Sequence, residues 1–248
     1  MGPGVTPTAA RRGAPRVSFT VDVEPDCPPY LSTWRGIDSG LPALLEVLAE
    51  EGVRATCFTT GEVARRRPSA VQAILDAGHE LGGHGDQHVA FTQLDRAGAA
   101  ADLAASSAVL RAFAPVRTFR APYLKFPPAY LDLLVAEGYT LDSSEARYKS
   151  LGVQVRRVNG LLRVPASVTS STLRWPARVR DGLLERLSDP VVLFVHPWEF
   201  VDLRRERLRW DCRFRTGEQA LASVRGTLRA LSGRGARFVT MSDLDEGA

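Results

Sequence analysis

Two of the four histidines of the chain, His84 and His88, lie in the short segment HGDQH with three residues between them. Imidazoles at positions i and i+4 of a helical turn or tight loop can direct two nitrogens toward one point, as zinc ligands often do. Taken alone, this spacing is a weak signal and more often means two hydrogen-bonded histidines that bind nothing. A nearby carboxylate would complete a three-ligand site that leaves coordination positions open for water and substrate.

Two acidic residues are candidates for that carboxylate. Asp22 and Glu24 end the apolar segment RVSFTVDVE, residues 16–24. Residues two apart in a strand start from the same face of a sheet, so both side chains should point in one direction. One of them could be a metal ligand and the other a base, although an acidic pair at a strand end is often only solvated.

Two further polar residues end other apolar segments. His196 follows VVLFV, and Arg120 ends the segment TFR. A histidine opposite a metal could act as a general acid, and Arg120 could form an ion pair that keeps Asp22 ionised. Each residue also has a plainer interpretation, as a hydrogen-bonded core histidine and as part of a structural ion pair.

The elements that must position these residues alternate along almost the whole chain. Short β-rich segments are followed by helical patterns, which predicts βα units around one parallel sheet or barrel. The predicted strands are RVSFTVDVE, RATCFTT, HELGGH, TFRA, YTLDS, a segment around residues 161–165, PVVLFVHP and ARFVTM. In a βα barrel, chemistry gathers at the carboxyl ends of the strands, where the polar residues named above fall.

Two helix starts are predicted from capping residues. Asp38 and Ser39 are candidate caps for a helix whose apolar residues follow at helical spacing, and Gly52 is predicted to end this helix. Thr92 and Asp95 resemble a capping box at the start of an Ala-rich helix that runs to Phe113.

Length and composition predict a single domain. The chain has 248 residues, 44% of them hydrophobic and 24% charged, which is ordinary for a globular protein. We predict a flexible lead over residues 1–15 and one domain over residues 16–248. No apolar run is long enough to cross a bilayer, and no apolar segment typical of a secretory signal follows the first arginines, so a cytoplasmic location is expected. Three cysteines without a CxxC pair argue against a disulfide framework or a structural zinc site.

The positive charge of the chain is modest, with a formal net charge of +4. It is densest in DLRRERLRWDCRFR, residues 202–215, where acidic residues interrupt the basic ones. No nucleic-acid motif accompanies this segment, so we expect a solvated or substrate-phosphate-facing surface and no nucleic-acid partner.

In this order, several segments resemble the motifs of the polysaccharide deacetylase family, also called the NodB homology domain or carbohydrate esterase family 4. TVDVE resembles its first motif, usually TFDD, and HGDQH resembles the second. RAPY, residues 120–123, matches the third, while GYTLDSS and LFVHPWEF resemble the later ones. The resemblance extends over roughly residues 16–244 and implies an α/β fold, a single-domain distorted (β/α)7 barrel.

The resemblance also implies an activity, that of a metal-dependent amidase, typically zinc-dependent, that removes the N-acetyl group of an N-acetylated amino sugar. The residue roles that it implies are metal ligation by His84 and His88, a catalytic base at Asp22 supported by Arg120, an oxyanion-binding backbone N–H at Tyr123, and a general acid at His196. Tyr123 and Trp198 are the expected substrate contacts. Tryptophans such as Trp34, Trp175 and Trp198 could stack on sugar rings, but at this frequency they are more often core residues.

The first motif departs from the family pattern. Val23 stands where the family usually has its second, metal-binding Asp, and an acidic residue returns only at Glu24. This DxE spacing is more similar to subgroups such as the lipid-linked aminoarabinose deformylases and the exopolysaccharide-associated type. Glu24 is therefore the preferred carboxylate ligand, with Asp22 as the alternative. Two imidazoles and a carboxylate suit zinc, cobalt, nickel or iron.

The sequence is also compatible with three other functions. The protein could be a deformylase of a lipid-linked amino sugar, because the chemistry differs only by a methyl group. It could also hydrolyse a cyclic amide or ureide, as relatives of this fold do. Outside enzymes, it could be a carbohydrate-binding pseudoenzyme, since Val23 interrupts the usual acidic pair.

Overall fold

Strands and helices alternate through residues 14–150 and 152–246, which this computed structural model describes. The described strands are β1 Arg16–Val23, β2 Thr56–Thr59, β3 Glu80–Gly83, β4 Thr118–Phe119, β5 Leu141–Asp142, β6 Arg156–Val158, β7 Leu161–Arg163, β8 Val191–Val195 and β9 Arg237–Phe238. The α-helices are α1 Leu41–Glu50, α2 Gly61–Arg66, α3 Pro68–Asp76, α4 Arg96–Arg111, α5 Leu131–Ala136, α6 Ala177–Leu184, α7 Trp210–Arg213, α8 Glu218–Ser232 and α9 Met241–Glu246. Most of the predicted lead, residues 1–15, lies outside the described residues.

The strands form one curled sheet in the order β6-β7-β5-β4-β3-β2-β1-β8, with β9 also paired to β1. Every described pair is parallel except β6–β7. Beyond β7, the N–H of Ser167 donates to the carbonyl of Val192 in β8 at 2.8 Å, and Ser167 Oγ accepts from the N–H of Val192 at 2.9 Å. These bonds join the two sides of the curled sheet, and the predicted distorted (β/α)7 barrel is confirmed.

Alternation along β1 divides the core into an outer and an inner part. The side chains of Val17, Phe19, Val21 and Val23 pack in one cluster with α1 and α8, outside the sheet. The intervening residues Ser18, Thr20 and Asp22 are also buried, and they point to the opposite face. The inner face is therefore polar toward the carboxyl end of β1, where the candidate site lies.

Both predicted helix starts differ in part from the structure. Asp38 and Ser39 do not cap α1; they lie inside a π-helical turn, Gly36–Gly40, that continues directly into the helix. This turn packs against the segment after β8, and a Cβ atom at Gly40 would lie 2.2 Å from the Pro197 carbonyl oxygen. The tertiary contact thus overrides the local capping preference.

The Ala-rich helix α4 begins later than its predicted start. Thr92 lies in a 3₁₀ turn, Phe91–Gln93, before the helix. Asp95 alone is the cap, and its carboxylate accepts the N–H of Gly98 at 2.7 Å. The predicted capping box was therefore wrong. Thr92 has no capping role, and Asp95 caps the helix by itself.

The hairpin β6–β7 was missed by the sequence analysis, although a signal for it is present. Asn159 and Gly160 join the strands and both have positive φ, 52° and 85°. Asn-Gly is the preferred pair for a two-residue hairpin turn with this backbone conformation.

None of the described helices combines the length and apolar character that crossing a membrane requires.

Glu80, at the start of β3, connects three elements through its carboxylate. It accepts hydrogen bonds from Thr56 Oγ1 in β2 at 2.6 Å and from Thr118 Oγ1 in β4 at 2.9 Å. It also accepts the N–H of Met241 at 3.0 Å and the hydroxyl of Ser242 at 2.7 Å, both at the start of α9. One side chain thus holds the C-terminal helix against the sheet.

Replacing Glu80 with alanine should lower the free energy of unfolding by about 2–4 kcal/mol, because several partly buried donors lose their acceptor. Chemical denaturation measures this change. The matched control is Glu46→Ala, which removes an exposed carboxylate from α1 and should leave the stability unchanged. Equal stability of the two variants would contradict the connecting role of Glu80.

Candidate active site

The predicted site residues meet at the carboxyl edge of the sheet, around a cavity of about 370 Å³. The lining includes seven of the eight residues predicted from the sequence, namely Asp22, Glu24, His84, His88, Tyr123, His196 and Trp198. The eighth, Arg120, is fully buried behind Asp22. The carboxyl ends of β1, β3, β4 and β8 supply these residues, as expected of a βα barrel.

Glu24, His84 and His88 bring three potential ligand atoms within 4.8 Å of one another. Oε2 of Glu24 lies 2.5 Å from Nε2 of His88 and 3.3 Å from Nε2 of His84. All three side chains are buried. This is the only such group of metal-binding residue types within the described part of the chain.

The hydrogen bond of His84 orients its ring toward Glu24. Its Nδ1 lies 2.6 Å from the carbonyl oxygen of Arg120, which can only accept, so Nδ1 carries the proton. In the neutral ring, Nε2 then presents a lone pair to the carboxylate, and two acceptors face each other. A divalent cation between them resolves this conflict, and a histidine whose other nitrogen donates to a carbonyl is typical of metal ligands. The donor set therefore fits a zinc-type ion.

The electrostatic environment keeps Glu24 charged. Burial by itself would raise the pKa of its carboxyl group. Without a cation in the cluster, the charges of His88 and His196, and the hydrogen bonds that His84 and His88 donate when their rings are protonated, outweigh burial and hold the pKa of Glu24 well below its usual range. A buried, ionised carboxylate beside two imidazoles is a donor set that suits a divalent metal cation.

Long-range contacts fix the loop that carries the two histidines. The carboxylate of Asp86 accepts two hydrogen bonds from Arg65, both at 2.8 Å, and its N–H donates to Asp102 at 2.9 Å. His88 has a positive φ of 54°, which a non-glycine residue adopts only when its surroundings impose it. At Gly61 there is no room for a side chain, since a Cβ would lie 2.1 Å from Asp86.

Asp22 forms a buried ion pair with Arg120 instead of joining the cluster. The guanidinium donates to Asp22 Oδ1 at 2.7 Å, to Thr20 Oγ1 at 2.6 Å and to Ser143 Oγ at 3.0 Å. It also lies over the ring of Phe58, 4.4 Å from its centre. Asp22 and Glu24 therefore share a face, but only Glu24 reaches the histidines.

His196 lies on the other side of the cavity and is oriented by Glu199. Its Nδ1 lies 2.8 Å from Glu199 Oε1, which leaves Nε2 facing Glu24 at 3.9 Å. Burial would lower the pKa of His196, but the charge of Glu24 and the hydrogen bond and charge of Glu199 raise it to about 9.

The ring of Trp198 is buried and stacks on His196, with 4.6 Å between the ring centres. Its indole N–H donates to Glu24 Oε1 at 3.1 Å. The second carboxylate oxygen of Glu24 is therefore held while the first faces the histidines. The contact with Glu24 is additional to the substrate contact predicted for Trp198, which stays a prediction.

Tyr123 occupies a tight turn after β4. The N–H of Leu124 donates to the carbonyl of Ala121 at 3.1 Å, so the turn does not use the N–H of Tyr123. Tyr123 and Leu124 both have positive φ, 61° and 52°. The phenol ring lies edge-on to His88, with 4.7 Å between the ring centres, which places this turn next to the histidine cluster.

Two residues that orient the site were missed by the sequence analysis. Glu199 could have been found, because a carboxylate three residues after His196 can reach back to its ring. Arg174, whose Nε lies 2.9 Å from Glu199 Oε2, could not, because no local pattern links it to the HPWEF segment.

Two cysteines also meet in the wall of the cavity. Cys27 and Cys212 are far apart in sequence, but they lie in one apolar cluster and both line the cavity. The neighbouring thiol of Cys212, burial and the nearby acidic groups raise the pKa of Cys27. Both are free thiols in this structure.

Comparisons with known proteins agree with this class of fold. The family model for polysaccharide deacetylase matches residues 9–141. The chitooligosaccharide deacetylase of Sinorhizobium fredii is 32% identical over 114 residues, which are 45% of this chain and 48% of that protein. The match therefore spans about half the length of this curated relative.

Solved structures share the fold at low sequence identity. A structure from Mycobacterium smegmatis assigned to the polysaccharide deacetylases superposes with a TM-score of 0.73 at 20% identity, covering 98% of this chain and 93% of that one. A family 4 carbohydrate esterase from Streptomyces lividans, in complex with acetate, has a TM-score of 0.60 at 19% identity and covers 91% of both chains. A family 4 pseudoenzyme from Bacillus anthracis has a TM-score of 0.64 at 15% identity, covering 94% of this chain and 66% of its own.

A curled parallel sheet with a histidine and carboxylate cluster at its carboxyl edge defines the class, a carbohydrate esterase family 4 fold. The chain belongs to the polysaccharide deacetylase family, since the family model covers more than half of it. This membership supports a hydrolase that acts as a deacetylase.

Replacing Arg120 with methionine should lower the free energy of unfolding by about 3–5 kcal/mol, because Asp22 would stay buried without its cation. Chemical denaturation measures the loss, and adding Asp22→Asn to the variant should recover part of it. Arg204→Met, which breaks an exposed pair with Asp202, is the control and should have little effect. Wild-type stability of the Arg120 variant would show that the pair carries no structural constraint.

Proposed function

We propose that the protein is a metal-dependent amide hydrolase that removes the N-acetyl group from an N-acetylated amino sugar or a sugar-containing metabolite. The observation that carries this proposal is the convergence of a buried Glu24–His84–His88 cluster with Asp22 and His196 in one cavity. The family membership supports the deacetylation, and the name of the S. fredii relative makes chitooligosaccharides the first substrates to test.

In this proposal, Glu24, His84 and His88 hold a divalent ion, with zinc as the first candidate. Such an ion, when bound, polarises an amide carbonyl and lowers the pKa of a water molecule toward about 7. Glu24 is suited to this role because Trp198 holds its other oxygen at 3.1 Å. Imidazole and carboxylate donors also suit cobalt, nickel and iron.

Asp22 and His196 divide the proton transfers between them. Asp22, held by Arg120 at 2.7 Å, accepts a proton from the attacking water. His196, on the other side of Glu24, donates a proton to the departing amine of the sugar. Glu199 fixes the orientation of His196 at 2.8 Å and so directs Nε2 into the cavity.

The backbone N–H of Tyr123 is the proposed donor to the oxyanion of the substrate. It is not used by the turn that contains it, and the turn lies against His88. A single donor of this kind is worth roughly 3–4 kcal/mol of transition-state stabilisation.

The position of Val23 favours a catalytic role over a binding role without catalysis. The side chain of Val23 packs on the outer face of the sheet with the apolar cluster, opposite to Asp22. Separating the two acidic residues by one position keeps both on the inner face, since side chains alternate along a strand. The change from a DD to a DxE pattern therefore supplies a base and a ligand from the same strand end.

Replacing His88 with alanine should remove both the bound ion and turnover, because one of three ligands is lost. Elemental analysis of the purified protein and release of acetate from chitooligosaccharides measure the two effects. The matched control is His79→Ala, since His79 is buried away from the cavity and accepts the N–H of Ala55 at 3.2 Å. A His88 variant that retains a stoichiometric ion and full activity would contradict the proposed ligand set.

Replacing Trp198 with phenylalanine should weaken metal affinity by about 10- to 100-fold, because Glu24 loses the donor that orients it. Competition with a chelator measures the affinity. Trp210→Phe is the control, since Trp210 is 61% exposed and does not line the cavity. Equal metal affinities of the two variants would show that Trp198 does not support metal binding.

Replacing Asp22 with asparagine should lower kcat by about a hundredfold or more while the ion stays bound, because the base is lost and the ligands are not. The buried guanidinium of Arg120 loses its counter-charge and the stability falls, but the amide oxygen can still accept its hydrogen bond, and circular dichroism checks that the fold persists. Asp38→Asn, an exposed acid paired with Arg67 at 2.7 Å, is the control. Identifying the released acid as acetate or formate in the same assays separates a deacetylase from a deformylase.

A further inference from the structure

The chain has only two lysines among its 32 basic residues, and both line the cavity. Lys125 follows the turn that contains Tyr123, and Lys149 comes from the segment after β5. Both side chains are exposed, so they lie at the mouth of the cavity and not at its base. All other basic residues are arginines.

Each acidic residue that lines the cavity already has a cationic or hydrogen-bonding partner. Asp22 is paired with Arg120 at 2.7 Å, and Asp211 is paired with Arg209 at 3.0 Å. Glu24 faces the histidines. By contrast, neither lysine forms a salt bridge with any carboxylate in residues 14–150 and 152–246. The uncompensated charge at the cavity mouth is therefore positive.

Lys149 contacts the turn that packs against the histidine cluster. Its Nζ donates to the carbonyl oxygen of Tyr123 at 2.8 Å, and the ring of Tyr123 lies 4.7 Å from that of His88, centre to centre. Burial and the positive charge of Lys125 both lower the pKa of Lys149. Two ammonium groups that repel each other at one opening would gain from an anion bound between them.

We propose that Lys125 and Lys149 bind an anionic group, a phosphate or a carboxylate, carried by the N-acylated amino sugar. The inference rests on the proposed function and specifies its substrate class. An ammonium group is a compact point charge that binds a phosphate or carboxylate without the planar geometry that arginine imposes. The tyrosine turn between the lysines and the histidines would then lie beneath the sugar ring, with the acyl group at the metal cluster.

The scarcity of lysine makes a direct binding test possible. Reductive methylation with ¹³C-formaldehyde keeps the charge and labels only Lys125, Lys149 and the terminal amine. The variants Lys125→Arg and Lys149→Arg each remove one NMR signal and assign the spectrum. The labelled protein is titrated with N-acetylglucosamine 1-phosphate, N-acetylmuramic acid and neutral N-acetylglucosamine.

Both lysine signals should shift saturably with an anionic sugar, and its Kd should be at least about tenfold lower than that of the neutral sugar. Added salt should weaken the binding of the anionic sugars only, and inorganic phosphate should compete with these sugars for the site. A response to the phosphate sugar alone or to the carboxylate sugar alone would support the proposal and identify the anion. Unmoved lysine signals, or equal Kd values for charged and neutral sugars, would overturn it.

Removing the charges gives a second measurement. The double variant Lys125→Gln, Lys149→Gln should lose the preference for the anionic sugars and keep the Kd for the neutral one. Arg178→Gln, which removes an exposed charge outside the cavity, should change neither value. Because these experiments measure binding and not turnover, a protein that binds anionic sugars without hydrolysing them would contradict only the proposed function. Hydrolysis of neutral and anionic sugars with equal kcat/KM would contradict only this inference.

Discussion

The carboxylate of Glu24 is buried, and a buried charge is costly unless other groups compensate for it. Three parts of the barrel supply that compensation. The loop after β3 brings His84 and His88 to one oxygen, and the turn after β8 brings the indole of Trp198 to the other at 3.1 Å. The carboxyl ends of β1, β3 and β8 must therefore lie at one edge of the sheet, and this requirement connects the fold to the chemistry of the site.

Much of the fold could be predicted from local sequence, because strands buried on both faces have short, continuous apolar sequences such as VVLFV in β8. The details that failed depend on distant residues. The turn Gly36–Gly40 replaces the predicted cap at Asp38 because it packs on Pro197, more than 150 residues later in the chain. The antiparallel hairpin β6–β7 was missed for another reason, since its Asn159–Gly160 turn carries a recognisable signal.

The candidate site residues could be located from the sequence because polar groups at strand ends stand out against apolar runs. The choice between Asp22 and Glu24 could not be made in this way, since both lie on one face and differ by only two positions. Arg120, 98 residues from Asp22, pairs with it and leaves Glu24 to the histidines. Lys125 and Lys149 carry no motif, and only the folded chain brings them to the same opening.

The central claim is that Glu24, His84 and His88 hold a divalent cation in this cavity. X-ray absorption spectroscopy of the zinc-loaded protein tests it most directly, because sulfur ligands lie at longer distances than nitrogen or oxygen ligands, and imidazole rings add scattering from their outer atoms. We expect two imidazole nitrogens at about 2.0–2.1 Å and a carboxylate oxygen at about 2.0–2.2 Å, with no sulfur. Sulfur scattering at about 2.3 Å would instead assign the ion to thiolates such as Cys27 and Cys212 and would contradict the account.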